Sequence, residues 1–269
     1  MSFFLYKPLD NPIPILFSSP HSGKEVPPEV KSLLNEQFLG YFPDTDFDVD
    51  KLYDFAPKMG AHFLCAKYCR CVIDLNRGPK DVPLYSDGRK TTGLYPQQTF
   101  TGEAIFKNPL CDELKNSILK DYYLPYHNKL ADTLEVIHSK FGVALLIECH
   151  SIKRHVPSIH SEKLPDIIIG TADGTSLPED MTALTSKIFQ TEGFVTALNH
   201  PFKGGFITRH YKNLERKIFS LQIEMSKDIY LNDKTDKIDE KKSKRIKDTL
   251  IKLTENLAKL LSKPGEITC

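Results

Sequence analysis

Short apolar runs alternate along the chain with longer stretches of helical spacing, and the run at 143–151, VALLIECHS, organises the rest. Five consecutive apolar residues after Gly142 predict a strand buried on both faces, as in a parallel sheet. That strand ends in Glu148, Cys149, His150 and Ser151. In open α/β sheets, ligands bind at such carboxyl ends. An apolar strand at 13–18 likewise runs into Pro20-His21-Ser22-Gly23, which puts a second histidine at a strand end. At 218–225 the alternation is clean: Phe219, Leu221, Ile223 and Met225 share one face, and Ser220, Gln222 and Glu224 share the other with Ile218. Glutamate is depleted in strands, so Glu224 in an apolar segment points to a role, against the alternative of a solvated edge residue. Further strands are predicted at 61–75, 166–170 and 194–198. Helical spacing marks 27–38 (Val30, Leu33, Leu34, Phe38), a segment carrying Val49, Leu52, Tyr53 and Ala56, and the stretches 111–141, 178–193 and 233–262. Pro125 should kink or divide the third of these. Strands alternate with helices and no internal repeat or linker interrupts them, which predicts one doubly wound domain over 1–269 with a largely parallel sheet.

Composition changes this picture little. The 269 residues are 40% hydrophobic and 26% charged with a net charge of +1, so no global field favours nucleic acid or an anionic membrane. No apolar run approaches the ~20 residues of a membrane span. Six cysteines without a regular framework, and a start lacking an export signal, lead us to expect a cytoplasmic protein with reduced thiols and a small-molecule substrate. Oligomeric state is not legible.

Candidate chemistry comes from three segments far apart in sequence: His21, the run Asp44-Thr45-Asp46-Phe47-Asp48-Val49-Asp50, and His150. Four carboxylates in seven residues exceed what a helix N-terminus uses, although acids are favoured there. One of Asp44, Asp46 and Asp48 is therefore a candidate ligand. Two imidazoles and one carboxylate leave a fourth position free, as in catalytic zinc sites, and such a donor set also accepts other divalent metals. A metal there lowers the pKa of water to ~7 and polarises a carbonyl. Amide hydrolysis then needs a group that accepts a proton and returns it to the leaving nitrogen, for which Glu224 is the candidate. Arg70 is the cation placed to face a developing oxyanion. Alternation through 70–79 puts Asp74 and Asn76 on one face, which is costly to bury unless paired or ligand-bound. An internal Asp74–Arg77 ion pair is one outcome, and Arg77 gripping a substrate carboxylate is the other. The segment 203–211, with Gly204, Gly205, Arg209 and His210, reads as a pocket wall or a surface hairpin. The stretch 80–107 reads as a lid or binding loop. His62, Cys65, Cys69 and Cys71 match no zinc spacing and read as core groups.

Pro20-His21-Ser22-Gly23, Asp44-Thr45-Asp46, Arg70 through Asp74-Leu75-Asn76-Arg77, His150-Ser151, Lys203-Gly204-Gly205-Phe206-Ile207-Thr208-Arg209-His210-Tyr211 and Gln222-Ile223-Glu224 together resemble the N-formylglutamate amidohydrolase (deformylase) family, over about 12–231. The resemblance implies a three-layer α/β/α sandwich with a mostly parallel mixed sheet, similar to zinc carboxypeptidases and aspartoacylases. It implies hydrolysis of N-formyl-L-glutamate to formate and L-glutamate, a step of histidine degradation. Carried over by position, His21, Asp46 and His150 match metal ligands for one Zn2+ per chain, and Glu224 matches the acid/base. Asn76 and Arg77 match a pair that holds a substrate carboxylate; Arg209, beside His210, would share the second. Asp74 and Glu148 would lie behind the histidines. There are two departures: Glu148 stands where a shorter Asp is expected, and Phe47 where Trp is common. The alternatives are an amidohydrolase for another N-acyl amino acid, or a metal-free amino-acid-binding protein on the same scaffold.

Overall fold

A computed structural model describes residues 1–83, 92–232 and 234–262. Its centre is a seven-stranded sheet of β1 (Phe3–Tyr6), β2 (Ile15–Ser19), β3 (His62–Ala66), β4 (Ala144–Ile152), β5 (Ile167–Gly170), β6 (Thr196–Leu198) and β7 (Ile218–Ser226), in the order β1-β3-β2-β4-β7-β5-β6. The four middle strands are parallel. β1 joins one edge antiparallel to β3, while β5 and β6 run parallel to each other and antiparallel to β7. The organising strand β4 lies in the middle, and all of its residues are buried.

Helices cover both faces, making a three-layer α/β/α sandwich. On one face, α2 (Val49–Leu52), α5 (Glu179–Thr191) and α7 (Glu240–Leu261) pack through Val49, Met181, Ile188, Ile246, Leu250 and Leu257 onto Phe17, Leu145, Ile147, Phe219 and Leu221. The other face carries α1 (Pro28–Lys31), α3 (Asp112–Ile118), α4 (Leu124–Phe141) and α6 (Phe206–His210), with Val30, Ile118, Tyr126, Leu130 and Ile207 over Leu16, Ala144 and Leu146. Because side chains alternate along a strand, each strand serves both layers. Toward the first layer it is apolar except for serines near the carboxyl ends, Ser19 on β2 and Ser151 on β4. Toward the second layer its carboxyl end turns polar and still buried: Ser18 on β2, Glu148 and His150 on β4, and Ser220, Gln222 and Glu224 on β7. Such groups need partners. Ser18 bonds the Tyr126 hydroxyl at 2.8 Å, Ser220 donates to the Thr208 carbonyl, and Gln222 accepts from the Gly205 amide at 2.8 Å.

Several local expectations change. The edge strand β1 had no sequence signal, being four residues of mixed burial. The expected helix at 27–38 is one turn plus a 3-10 turn at Glu36–Phe38, because the chain extends at Asn35. Residues 70–77 form turns rather than a strand, so Asp74 and Asn76 are placed by loop geometry and not by alternation. The helix at 111–141 does divide near Pro125, through a π-helical turn at Leu119–Tyr123 ahead of α4. The last helix begins at Glu240, where the Asp239 carboxylate accepts from the Lys242 amide, rather than at 233. The segment 203–211 is not a hairpin but a loop entering α6, and its Phe206, His210 and Tyr211 line a cavity, as a pocket wall would. Residues 84–91, part of the expected lid, lie outside the described residues.

The entry into α6 depends on Gly205. A Cβ there would come within 2.2 Å of the Asn76 amide nitrogen, and Asn76 is 4% exposed and held by the Ile207 amide at 2.9 Å. Gly205→Ala is therefore expected to destabilise the fold by ~1–3 kcal/mol, the usual cost of overpacking a buried site. Denaturant unfolding checks this; an unchanged midpoint would show that Asn76 swings aside freely.

Candidate active site at the ends of three parallel strands

β2, β4 and β7 end side by side, and their register sets Ser18 opposite Glu148 and His150 opposite Glu224. His21 follows β2 by two residues, in a turn that brings Gly23 against the Tyr68 carbonyl, where a Cβ would lie at 2.3 Å. The acidic loop is tied to this turn by the Asp46 amide, which donates to the His21 carbonyl at 3.0 Å. His21, Asp46 and His150 thus meet, all buried, with one ligand atom from each within 4.8 Å of the others. The imidazole centroids are 4.8 Å apart.

Each imidazole is oriented from behind by a second carboxylate. His21 Nε2 lies 2.7 Å from Asp74 Oδ1, and His150 Nε2 lies 2.6 Å from Glu148 Oε1. Both Nδ1 atoms are left facing Asp46 Oδ2, at 3.8 Å from His21 and 3.0 Å from His150. Asp74 is fully buried and also accepts from Arg70 at 2.7 Å and from the Asn76 amide at 2.9 Å. Burial opposes its charge, but Arg70 and His21 outweigh that and hold the carboxyl well below the usual range. Burial, then Arg70, keeps His21 below the ordinary histidine value. Its neutral ring donates through Nε2 to Asp74, and its Nδ1 lone pair is buried without a hydrogen-bond partner. Around His150, burial is outweighed by Glu148 and Asp46, so its proton is held well above the usual range. Burial pushes Glu224 up to about 8.

These residues fit a divalent cation. A buried imidazole nitrogen with a free lone pair is costly unless something accepts it. Four buried carboxylates, Asp46, Asp74, Glu148 and Glu224, surround the cluster, against the two buried cations Arg70 and Lys227. The raised proton affinity of His150, set by Glu148 and Asp46 against its burial, is the response to that excess of negative charge. A carboxylate behind each ligating histidine is also the usual arrangement in metal sites.

The structure sorts the remaining candidates. Of the acidic run, only Asp46 joins the cluster: Asp44 accepts from the Phe100 amide, and Asp48 pairs with Lys24 and Lys51. Arg70 reaches the cluster's edge, paired with Asp74 and lying over the Phe100 ring at 5.0 Å. The Asp74–Arg77 ion pair expected as one outcome gives way to Asp74–Arg70, because the turn at 70–74 brings Arg70 to the carboxylate. Arg77 is half-buried and donates to the carbonyls of Thr92 and Asn76. Asn76 accepts from Ile207 and lies 3.1 Å from His150 Nε2. Arg209 donates Nε to Gly204, while exposed His210 stacks on Phe206 beside a cavity lined by His127 and Tyr211. Sequence reasoning passed over Lys227 and Tyr230, and noted Ser151 only as the neighbour of His150. Lys227 donates to the Thr45 carbonyl at 2.6 Å, and Tyr230 bonds the Phe47 carbonyl and Ser151, each at 2.8 Å. Their signal was position: Ser151 follows His150, and Lys227 and Tyr230 come just after β7.

Fold and cluster together define an α/β enzyme with a buried centre of two imidazoles and one carboxylate. Residues 13–231 match the family model described as N-formylglutamate amidohydrolase. An N-formylglutamate deformylase of Pseudomonas putida is 39% identical over 224 residues, 82% of this chain and 83% of the relative. That of Pseudomonas aeruginosa is 38% identical over the same shares. Among solved structures, N-formylglutamate amidohydrolase from Ralstonia eutropha JMP134 superposes with a TM-score of 0.84 at 24% identity, covering 97% of this chain and 99% of that one. A protein of Agrobacterium tumefaciens superposes with a TM-score of 0.70 at 16% identity over 92% of both chains. This chain belongs to the N-formylglutamate amidohydrolase family and is a hydrolase.

His21→Ala removes the buried lone pair and is expected to abolish stoichiometric binding of a divalent cation without unfolding the chain. Metal analysis alongside circular dichroism checks this; a folded variant that keeps one ion per chain would put the cation elsewhere.

Proposed function

We propose that the protein hydrolyses N-formyl-L-glutamate to formate and L-glutamate, as a cytoplasmic step of histidine degradation, with one Zn2+ held by His21, Asp46 and His150. The observation that carries this reading is the convergence of those three residues beside Glu224 in a chain whose curated relatives are deformylases. The five described cysteines are free and four are buried, which suits a reducing compartment.

A divalent cation in this site supplies Lewis acidity, making a water easier to deprotonate and polarising the formyl carbonyl. Glu224 accepts the proton of the attacking water and returns it to the leaving nitrogen. Burial pushes its carboxyl up to about 8, which supports its holding the proton that the second half of that task returns. Arg70 is fixed by Asp74, and its positive charge faces the oxyanion as it forms. Asp74 and Glu148 keep the histidine rings in one orientation while charge develops. Arg77 takes the substrate's α-carboxylate; Asn76, committed to Ile207, braces the turn that carries it.

A formate-release assay over a panel of N-formyl and N-acyl amino acids, with chelated and zinc-reconstituted enzyme, tests the reading. N-formyl-L-glutamate should be the fastest substrate and chelation should abolish turnover. Formate release from none of the panel by reconstituted enzyme would overturn it. Glu224→Gln should lower kcat ~100- to 10,000-fold, the usual worth of a positioned general base, while the metal content stays at that of wild type. Near-wild-type turnover in that variant would remove Glu224 from the mechanism.

A further inference from the structure

We propose that a cavity beside the cluster receives the side-chain carboxylate of the substrate, and that Lys227 and Lys153 are the residues that recognise it. This rests on the deformylase reading of the site and names the part that sets its specificity.

The cavity has a volume of about 460 Å³, and Asp44, Phe100, Ser151, Lys153 and Lys227 line it. That is room for a small amino-acid derivative. Its wall is tied to the cluster through neighbours: the Lys227 ammonium bonds the carbonyl of Thr45, next to Asp46, and the Phe100 ring lies 5.0 Å from the Arg70 guanidinium that pairs with Asp74. Lys153 comes just after the last residue of β4, so the cavity leads outward along the strand that carries His150. A substrate with its formyl group at the cluster has its α-carboxylate close by and its side-chain carboxylate two methylenes further out.

The two lysines are in the state a receptor for an anion requires. Lys227 is 6% exposed, and its ammonium donates to the carbonyls of Thr45 and Pro43, at 2.6 and 3.3 Å. Lys153 is exposed at the rim. Among the described residues, neither has a carboxylate within the 4.0 Å of an ion pair. A buried ammonium held by neutral carbonyls and the face of the Phe47 ring, 5.1 Å away, gains a charge-assisted bond when a carboxylate arrives. The acids in the cavity wall are already engaged. Asp44 accepts from the Phe100 amide, and Glu103 accepts from the hydroxyls of Thr99 and Thr101. The residues the sequence offered for the second carboxylate are elsewhere: Arg209 donates to Gly204, and neither it nor His210 lines this cavity.

The test compares N-formyl-L-glutamate with its neutral isostere N-formyl-L-glutamine in zinc-loaded wild type, Lys227→Met, Lys153→Met and Lys153→Glu. Lys227→Met should raise KM for the glutamate substrate ~30-fold, since it removes one partner of a buried charge pair. Lys153→Met should raise it about 3-fold, as befits an exposed pair, and Lys153→Glu more. KM for the glutamine substrate should stay within about 2-fold in both Lys153 variants, and in Lys227→Met it should rise several-fold less than KM for the glutamate substrate, because the lysines add discrimination only where a charge is present. Equal effects on both substrates, or no effect from either Lys153 variant, would overturn the proposal while leaving the deformylase reading in place. Calorimetric titration with L-glutamate and L-glutamine separates the two readings. Glutamate binding that is lost in Lys153→Glu, in a wild type that releases no formate, would sink the deformylase reading and keep the receptor. If Lys227→Met does not fold, the exposed Lys153 variants decide alone.

Discussion

Everything in the site depends on a pair of carboxylates that do not themselves face the substrate. Asp74 and Glu148 each take the Nε2 side of a histidine, which turns both Nδ1 atoms inward onto Asp46. Each is fixed by a different part of the fold. Asp74 is gripped by Arg70 and by the Asn76 amide within its own turn. Glu148 is gripped by the backbone amide and the hydroxyl of Thr208, on the first turns of α6. Loss of such supports typically weakens a metal site ~10- to 100-fold while its ligands remain in place. The loop entering α6, held off from Asn76 by the bare backbone of Gly205, therefore matters for His150 although it touches no ligand.

The sheet supplies the rest of the constraint. A parallel strand in a sandwich has both faces covered, so its side chains alternate between two buried layers. In β2, β4 and β7 the layer under α5 and α7 is apolar up to Phe17, Cys149 and Met225, and this anchors the strands. The layer under α4 and α6 turns polar over the last few residues. Those groups are costly to bury singly, and the structure spends its side-chain hydrogen bonds there: Ser18 with Tyr126, Ser220 with Thr208, Gln222 with Gly205. One face holds the strands still while the other presents chemistry.

Where sequence legibility ended follows from the same physics. β4, β7 and β2 were readable because burial on both faces leaves an unbroken or strictly alternating apolar record, and from them came His21, His150 and Glu224. The edge strand β1 buries too little to leave one. The turns at 70–77 were misread as a strand, since a short alternating stretch of Val72, Asp74 and Asn76 is compatible with either. Asp74 and Arg70 were nonetheless picked out, because a buried acid needs a partner whatever the backbone does. Their pairing with each other could not be foreseen without the turn. Lys227 was invisible for the opposite reason: a lysine after a strand is ordinarily a solvated residue, and only the packing of the acidic loop against β7 buries it.

That loop accounts for its own composition. Four carboxylates in seven residues are too many for one helix start, and the structure gives three of them separate tasks. Asp44 pins the Phe100 loop that walls the cavity; Asp46 faces the two imidazoles; Asp48 pairs with Lys24 and Lys51 from a left-handed backbone with φ of 57°. Asp50 is pushed above the usual carboxylate range by burial, and one of its oxygens has no partner. The loop is held in turn by its carbonyls: Thr45 and Pro43 accept from Lys227, and Phe47 accepts from Tyr230. The segment that delivers Asp46 to the two imidazoles is thus the same segment that seats the buried lysine. A substitution at Lys227 that disturbed Asp46 would slow every substrate alike, whereas loss of a receptor for charge would slow only the charged one. The contrast between glutamate and glutamine substrates, more than either rate alone, therefore distinguishes a lysine that binds substrate from one that only supports its neighbour.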